Sequence, residues 1–154
     1  MKLVLIGTGA AAAELTVFIN HAQKLKKTDF KIKGYIDVQS SKNKYWKKYS
    51  LKYPFLGDYR SYKFSKKESY ILTINDIKIR TDIINFLSKK NIKMANFIHP
   101  TAIVADTSKM GKGNVIYPYC LVGPQTKIGD FNFLNSNVAI GHDSKIADNN
   151  IFSP

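Results

Sequence analysis

An apolar residue recurs at every sixth position through the second half of the chain, and this repeat constrains the fold more than any other feature. At a hydrophobic content of 44%, ten apolar residues in one such frame would arise by chance about 0.03% of the time. The unbroken series is Ile98, Val104, Met110, Ile116, Val122, Ile128, Leu134, Ile140, Ile146 and Phe152.

A period of six predicts a left-handed parallel β-helix over residues 98–154. Six residues supply one flat strand and one corner, and three such sides complete a coil whose apolar residues stack inside a triangular prism. The residue after each series member is often small, and the third residue after it suits a tight corner. A β-sandwich, the alternative, would instead show a period of two and longer turns.

The first half alternates strand-like and helix-like segments, which predicts an α/β domain over residues 1–97 with a small Rossmann-like parallel sheet. Ile79, Ile83, Ile84 and Leu87 are expected on the buried face of the second helix. The expected elements are strands at 2–6, 31–36, 69–74 and 94–97, helices at 10–27 and 76–90, and a lysine- and tyrosine-rich loop at 38–54.

Ligands of such sheets lie beyond the carboxyl ends of the strands, and a helix N-terminus there can hold a phosphate. An acid after the second strand can accept ribose hydroxyls. The loose G-x-G-x-x-A at 7–12 is weak alone, so a tight turn without ligand and a redox dinucleotide enzyme both stay open. The candidate substrate-binding residues here are Gly7, Thr8, Gly9, Ala10, Asp37 and Asn75.

The net charge of +13 does not by itself indicate a nucleic-acid protein. Arg60 and Arg80 are the only arginines among 24 basic residues, whereas bidentate contacts to bases and phosphates favour arginine. We therefore predict no nucleic-acid partner. No apolar run is long enough to span a membrane, and the single cysteine, Cys120, fits a protein of the reducing cytoplasm.

Five segments together resemble the sugar acetyltransferases of the hexapeptide-repeat superfamily that act in bacterial surface-glycan and sialic-acid pathways. They are VLIGTG at 4–9, GYID at 34–37, ILTIN at 71–75, FIHPTA at 97–102 and LNSNVAIGHD at 134–143. The resemblance implies a nucleotide-sugar-binding domain followed by the β-helix. It also implies O- or N-acetylation of a nucleotide-linked or sialic-acid-type sugar with acetyl-CoA as co-substrate and no metal.

The resemblance implies roles for individual residues. His142 matches the general base that deprotonates a sugar amine or hydroxyl, and a neutral imidazole suits that task near neutral pH. Asp143 matches the acid that orients it, and Asn135 matches a position shaping the acceptor pocket. His99 matches the His-Pro that opens the repeat, with a structural role, while His21 is expected on the surface. The implied partners are a nucleotide-sugar, with a UDP-sugar favoured, and two further copies in a homotrimer with active sites between subunits.

Two departures from the family pattern keep an alternative open. Ile151 stands where the family usually has a second histidine, nine residues after the first. The chain also ends within a repeat after about three coils, which we interpret as C-terminal truncation. The alternative function is therefore a nucleotide-sugar-binding module without transferase activity.

Overall fold

The computed structural model describes residues 1–38, 40 and 44–153 of the 154-residue chain. The chain divides into two compact units, Met1–Met94 and Ala95–Pro154. The predicted boundary after residue 97 lies slightly further along the chain. Among the described residues, no helix is long and apolar enough to cross a membrane.

The first unit contains a five-stranded sheet with the order β3-β2-β1-β4-β5 in its described residues. In chain order the elements are β1 (Lys2–Ile6), α1 (Ala10–Lys24), β2 (Lys31–Asp37), β3 (Phe55–Asp58), β4 (Glu68–Leu72), α2 (Ile77–Ser88) and β5 (Lys93–Met94). All neighbouring strands are parallel, which confirms the predicted α/β class. The carboxyl ends of the strands consequently lie at one edge of the sheet.

The central strand explains the first apolar run of the sequence. Leu3, Val4, Leu5 and Ile6 of β1 are all fully buried, because β2 and β4 flank the strand and both faces of a parallel sheet are covered. The strand therefore reads as continuously hydrophobic rather than alternating.

Two strand predictions differ from the structure. β3 was not predicted, because it is a four-residue edge strand that is only half-buried along its length and carries little periodic signal. The predicted strand at 94–97 is wrong as a single element. Its two ends belong to different sheets, β5 in the first unit and β6 (Phe97–Ile98) in the second.

The second helix begins where its sequence predicts but buries a different set of residues. Asp76 caps α2 by accepting a hydrogen bond from the Ile79 amide at 3.0 Å. Ile83 and Leu87 are buried as predicted. Ile79, however, is 51% exposed, so its predicted place in the core is wrong, and Arg80 is buried instead.

The second unit is a left-handed parallel β-helix. Its described residues form ten two-residue strands in three parallel sheets, β13-β10-β7, β14-β11-β8 and β15-β12-β9-β6. After β6 the strands are β7 (Ile103–Val104), β8 (Lys109–Met110), β9 (Val115–Ile116), β10 (Leu121–Val122), β11 (Lys127–Ile128), β12 (Phe133–Leu134), β13 (Ala139–Ile140), β14 (Lys145–Ile146) and β15 (Ile151–Phe152). Each member of the sixfold series is the second residue of a strand, which confirms the prediction.

The corners of the β-helix also follow the sixfold period. From Met110 to Ile146, the third residue after each inward residue adopts a left-handed backbone conformation, with φ of 56° at Asp143 and 65° at Asn137. This conformation costs about 1–2 kcal/mol for most L-residues, so the surrounding coils must hold it. The positive-φ corner residues are Gly113, Tyr119, Gln125, Phe131, Asn137, Asp143 and Asn149.

A second repeat of eighteen residues distinguishes the three sides of the coil. On one side of the coil an asparagine precedes each strand. The backbone N–H groups of Asn114 and Asn132 donate to the side-chain Oδ1 atoms of Asn96 and Asn114, respectively, each at 2.8 Å. Asn150 continues this asparagine ladder at 2.9 Å. The other two sides are preceded by apolar residues and by hydroxyls, respectively: Ala102, Cys120 and Val138, and Ser108, Thr126 and Ser144.

Candidate functional site

A cleft of about 540 Å³ lies in the first unit, where the carboxyl ends of β2 and β4 meet the beginnings of α1 and α2. Four of the predicted substrate-binding residues line it, namely Gly9, Ala10, Asp37 and Asn75. The N-cap of α1, Gly9, makes no side-chain capping hydrogen bond, and the N-terminus of the helix, with its partial positive charge, lines the cleft through Gly9, Ala10 and Ala11. These features suit an anionic ligand such as a phosphate.

Asp37 lines the cleft, and its carboxylate is also held by hydrogen bonds from neighbouring loop residues. Its Oδ2 accepts hydrogen bonds from the amide and the hydroxyl of Thr8 at 2.8 and 2.7 Å. Its Oδ1 accepts the Val38 amide at 2.7 Å. Thr8 is fully buried and is not among the residues that line the cleft. It supports Asp37, and its contact with substrate stays a prediction.

Gly7 also determines the conformation of the loop between β1 and α1. It is buried with a φ of 124°, and a Cβ there would lie 2.7 Å from the Thr73 Oγ1 atom. Only glycine fits this conformation and this spacing. Gly7 and Thr8 therefore fix the path of the chain from β1 into α1, and the residues that follow them reach the cleft.

A buried arginine supports the opposite wall. Arg80 is fully buried, and its Nη1 donates to the Ile74 carbonyl at 2.9 Å. Burial lowers the pKa of the guanidinium to about 10, because removal from water disfavours the charged form. Arg80 thus orders the segment from Ile74 to Asp76, which lines the cleft.

Sequence reasoning missed much of the lining. Tyr59 is buried against Phe86, with ring centroids 5.4 Å apart, and the Arg60 guanidinium lies 4.7 Å from the Tyr59 ring centre. For Tyr45 and Tyr49 the signal was the tyrosine-rich composition of the predicted loop at 38–54, which gave no indication of the direction of its side chains. Tyr59 and Arg60 lie beyond that loop. The lining residues not predicted as site residues include Tyr45, Tyr49, Tyr59, Arg60, Ile79 and Asp82.

The second candidate site is the pair His142 and Asp143 in the β-helix. The His142 Nδ1 and Asp143 Oδ2 atoms are 2.7 Å apart, and both side chains are largely exposed, at 80% and 72%. The left-handed conformation of Asp143 brings the two neighbouring side chains together. A backbone hydrogen bond from Asp143 to the Pro124 carbonyl, at 2.9 Å, anchors this corner on the preceding coil.

This geometry determines which ring nitrogen of His142 can accept a proton. A carboxylate only accepts hydrogen bonds, so Nδ1 is assigned as the donor to Asp143. Nε2 then carries the lone pair in the neutral ring. The pair can therefore act as a general base whose imidazolium form is stabilised by the neighbouring carboxylate.

The other predicted residues lie in separate places. His99 is buried and its Nδ1 accepts the Thr101 amide at 3.2 Å, as expected for a structural residue. His21 is exposed on α1.

Asn135 follows β12, at a different corner from His142, and its Oδ1 accepts the Ser136 amide at 2.8 Å. Ile151 lies half-buried in β15.

Neither a thiol nor a metal centre accompanies these sites in the described residues. Cys120 is buried, and burial raises the pKa of its thiol, which keeps it in the unreactive protonated form. No group of three histidine, cysteine or acidic side chains among the described residues could hold a metal ion.

Comparison with known proteins establishes the class of fold. No protein-family sequence model and no curated protein matches the chain, but solved structures do. The acetyltransferase domain of PglB from Neisseria gonorrhoeae is 20% identical with a TM-score of 0.78, over 99% of this chain and 71% of that chain. The same domain in complex with acetyl coenzyme A is 18% identical with a TM-score of 0.69, over 95% of this chain and 67% of that chain.

PerB from Caulobacter crescentus, in complex with CoA and GDP-perosamine, is 20% identical with a TM-score of 0.71, over 94% of this chain and 65% of that chain. Our chain thus spans 65% to 71% of the lengths of these three structures. At such identities the likeness concerns the fold. The predicted resemblance is therefore confirmed at that level: an α/β unit followed by a left-handed β-helix, as in these acetyltransferase structures.

Proposed function

We propose that the protein is an acetyl-CoA-dependent acetyltransferase acting on an amino or hydroxyl group of a nucleotide-linked sugar. The observation that carries the proposal is the His142–Asp143 contact of 2.7 Å. Structures of similar fold are complexes with acetyl coenzyme A, or with CoA and GDP-perosamine. The cleft of the first unit supplies a place for the nucleotide.

In the proposed reaction His142 Nε2 removes a proton from the acceptor as its nitrogen or oxygen attacks the thioester carbonyl of acetyl-CoA. A bond forms from the acceptor to the acetyl carbon, and the carbon–sulfur bond breaks to release the CoA thiolate. The imidazolium then returns its proton to the sulfur. Asp143 holds the ring through Nδ1 and stabilises its transient positive charge.

The first unit would bind the nucleotide part of the acceptor. The N-terminus of α1 and the cationic Arg60 offer favourable interactions to a diphosphate. Gly9 and Ala10 let the ligand approach the backbone, and Asn75 contributes a polar side chain to the same cleft. A uridine nucleotide as carrier stays a prediction from the family resemblance, as does the role of Asn135 in the acceptor pocket.

Self-association is part of the proposal. Ile103 and Leu121 are 68% and 44% exposed, and they are paired in register on neighbouring strands of one outer face. Exposed apolar stripes of this kind mark protein interfaces. They support self-association, while a homotrimer with active sites between subunits stays a prediction from the family resemblance. A cytoplasmic location and a role in surface-glycan synthesis stay predictions.

One observation favours a second function, a nucleotide-sugar-binding module without transferase activity. The His142 and Asp143 side chains are 80% and 72% exposed, so this chain alone does not shield them from water. A base in open solvent gains less from its carboxylate partner, because water and salt screen the interaction.

A free-thiol assay with acetyl-CoA and a nucleotide amino-sugar, beside calorimetry with UDP- and GDP-sugars, separates the two functions. Transferase activity predicts thiol release that is abolished in His142→Ala and retained in His21→Ala, a matched exposed histidine. Nucleotide-sugar binding without thiol release would contradict the enzyme and support the binding module. Binding of NAD without any sugar nucleotide would indicate redox chemistry instead.

A further inference from the structure

The cleft carries two tyrosines on the segment between β2 and β3. Tyr45 and Tyr49 are one helical turn apart, with a hydrogen bond of 3.0 Å from the Tyr49 amide to the Tyr45 carbonyl. Their rings are stacked, with centroids 6.1 Å apart and planes inclined by 26°. Both are half-buried and both line the cleft. A lysine ammonium lies over each ring, Lys44 at 5.0 Å from the Tyr45 centre and Lys48 at 5.2 Å from the Tyr49 centre. The remaining surface of the two rings lines the cleft.

Trp46 fixes this pair to the sheet. Its ring meets Tyr35 of β2 edge-on, with centroids 5.8 Å apart, and meets Phe55 of β3 at 6.1 Å. Tyr35 is itself fully buried. Because Trp46, which lies between the two tyrosines in the chain, is packed in this way, the tyrosine rings are positioned before any ligand arrives. This lowers the entropy cost of binding.

A third apolar residue belongs to the same lining. Ile79 is 51% exposed and lines the cleft from α2, although helical periodicity predicts it in the core. An aliphatic side chain left half-exposed in a cleft is covered when a flat, apolar ligand binds.

Two of the three carboxylates that line the cleft in the described residues, those of Asp37 and Asp76, are less suited to reading a particular base than that of Asp82. Asp37 accepts hydrogen bonds from Thr8 and Val38, and Asp76 accepts the Ile79 amide. Much of their hydrogen-bonding capacity thus serves the fold. Aromatic stacking tolerates different bases because each base has a π-face.

We propose that Tyr45, Tyr49 and Ile79 form a stacking site for the nucleotide base and that this site tolerates both purines and pyrimidines. The inference rests on the proposed function, since it assumes that the cleft holds a nucleotide-sugar. The diphosphate then lies towards Arg60 and the N-terminus of α1. UDP is in this case one of several carriers that the protein binds.

Calorimetry with UDP, GDP, ADP and inorganic pyrophosphate tests the proposal on the full chain. The three nucleotides should bind within about tenfold of one another, with the purines at least as tight as UDP. Stacking contributes about 1–3 kcal/mol per base, so Tyr45→Ala/Tyr49→Ala should weaken all three by about 5- to 150-fold. Pyrophosphate binding should change less than about twofold, because phosphate contacts stay intact.

The matched control is Tyr45→Phe/Tyr49→Phe, which keeps both rings and should retain nucleotide binding. Thermal unfolding of each variant separates loss of the site from loss of the fold, and Ile79→Ser gives an independent variant on α2 that should weaken nucleotide binding. Equal binding by the alanine and wild-type proteins, or UDP binding more than tenfold tighter than GDP, overturns the stacking site alone. Absence of nucleotide binding by the wild type overturns the proposed acceptor site as well.

Discussion

Neighbouring residues of an extended strand point to opposite faces, so a side-chain contact between His142 and Asp143 requires a bend between them. The β-helix corner supplies it through the φ of 56° at Asp143. Aspartate and asparagine adopt this conformation more readily than most residues. The same residue therefore serves the corner through its backbone and the imidazole through its carboxylate.

Replacing the carboxylate while keeping the corner should separate these two roles. Asp143→Asn should lower kcat about 10- to 100-fold, because the imidazolium loses its charged partner, with little change in KM. The melting temperature should stay the same, since Asn137 occupies an equivalent corner and a contact between two exposed side chains adds little stability. Steady-state kinetics and thermal unfolding test both parts, and an unchanged kcat would contradict the orienting role.

Two glycines of the same side of the β-helix should respond differently to alanine. A Cβ at Gly123 would lie 2.7 Å from the His142 amide nitrogen, whereas a Cβ at Gly141 would meet no atom within 4 Å. Gly123→Ala should therefore lower the free energy of unfolding by about 1–3 kcal/mol and displace the corner that carries His142. Gly141→Ala should stay within about 0.5 kcal/mol of wild type. Urea unfolding measures both, and equal effects would rule out this explanation.

At the scale of the secondary-structure elements, a network of polar side chains connects β2, β4 and the segment before β4. Glu68 accepts hydrogen bonds from Lys33 at 2.7 Å, Tyr62 at 3.0 Å and Tyr70 at 2.8 Å. Burial alone would raise the pKa of Glu68, but these three donors outweigh it and hold the pKa below its ordinary value.

This lowered pKa predicts a specific loss of stability in acid. The ionised carboxylate stabilises the fold above the unfolded pKa of about 4.3, and the stabilisation is lost as the pH falls through the lower folded pKa. The unfolding free energy of wild type should thus fall more steeply between pH 5 and pH 3 than that of Glu68→Gln. Urea unfolding at several pH values tests this, with the exposed Asp106→Asn as control. Parallel curves for Glu68→Gln and wild type would refute it.

The elements also show what the sequence could and could not predict. The β-helix was predictable because one physical requirement, an inward apolar residue on each side, repeats along the chain. β3 was not, since a half-buried edge strand leaves no pattern. Ile79 fits the core periodicity of α2 but lies in the cleft, because periodicity identifies a helix face and not what covers it.

The candidate site was predictable to a similar degree. Gly9, Ala10, Asp37 and Asn75 could be placed because the carboxyl ends of parallel strands converge. The tyrosine side of the cleft could not, because the fold of a segment without regular periodicity depends on tertiary contacts such as those of Trp46.

At the scale of the whole molecule, the outer faces of the β-helix differ in chemistry. Ile103 and Leu121 expose apolar surface on one face, whereas Lys109, Lys127 and Lys145 stand in register and exposed on the next. Like charges opposite one another disfavour close packing. The apolar face is therefore the better candidate for contact with other copies.

Charge on the apolar face should weaken association. Ile103→Lys/Leu121→Lys should shift the protein from the proposed trimer towards monomer, because burying unpaired lysines in an interface is costly. Light scattering over a range of concentrations measures this, with Lys127→Ser as the control on the neighbouring face. A wild-type protein that stays monomeric at high concentration would contradict the trimer.

The asparagine ladder restricts how a β-helix of this kind can change in length. Inserting six residues would preserve the apolar period, yet it would move every later residue to the next side of the prism. Asn150 would then no longer reach Asn132, and an apolar or hydroxyl residue would stand where the ladder needs an asparagine. Inserting eighteen residues keeps the asparagines, the apolar residues and the hydroxyls each on their own side of the coil. Duplication and deletion in this chain should therefore be tolerated only as whole coils, which makes the coil, and not the hexapeptide, the unit in which such a sequence can evolve.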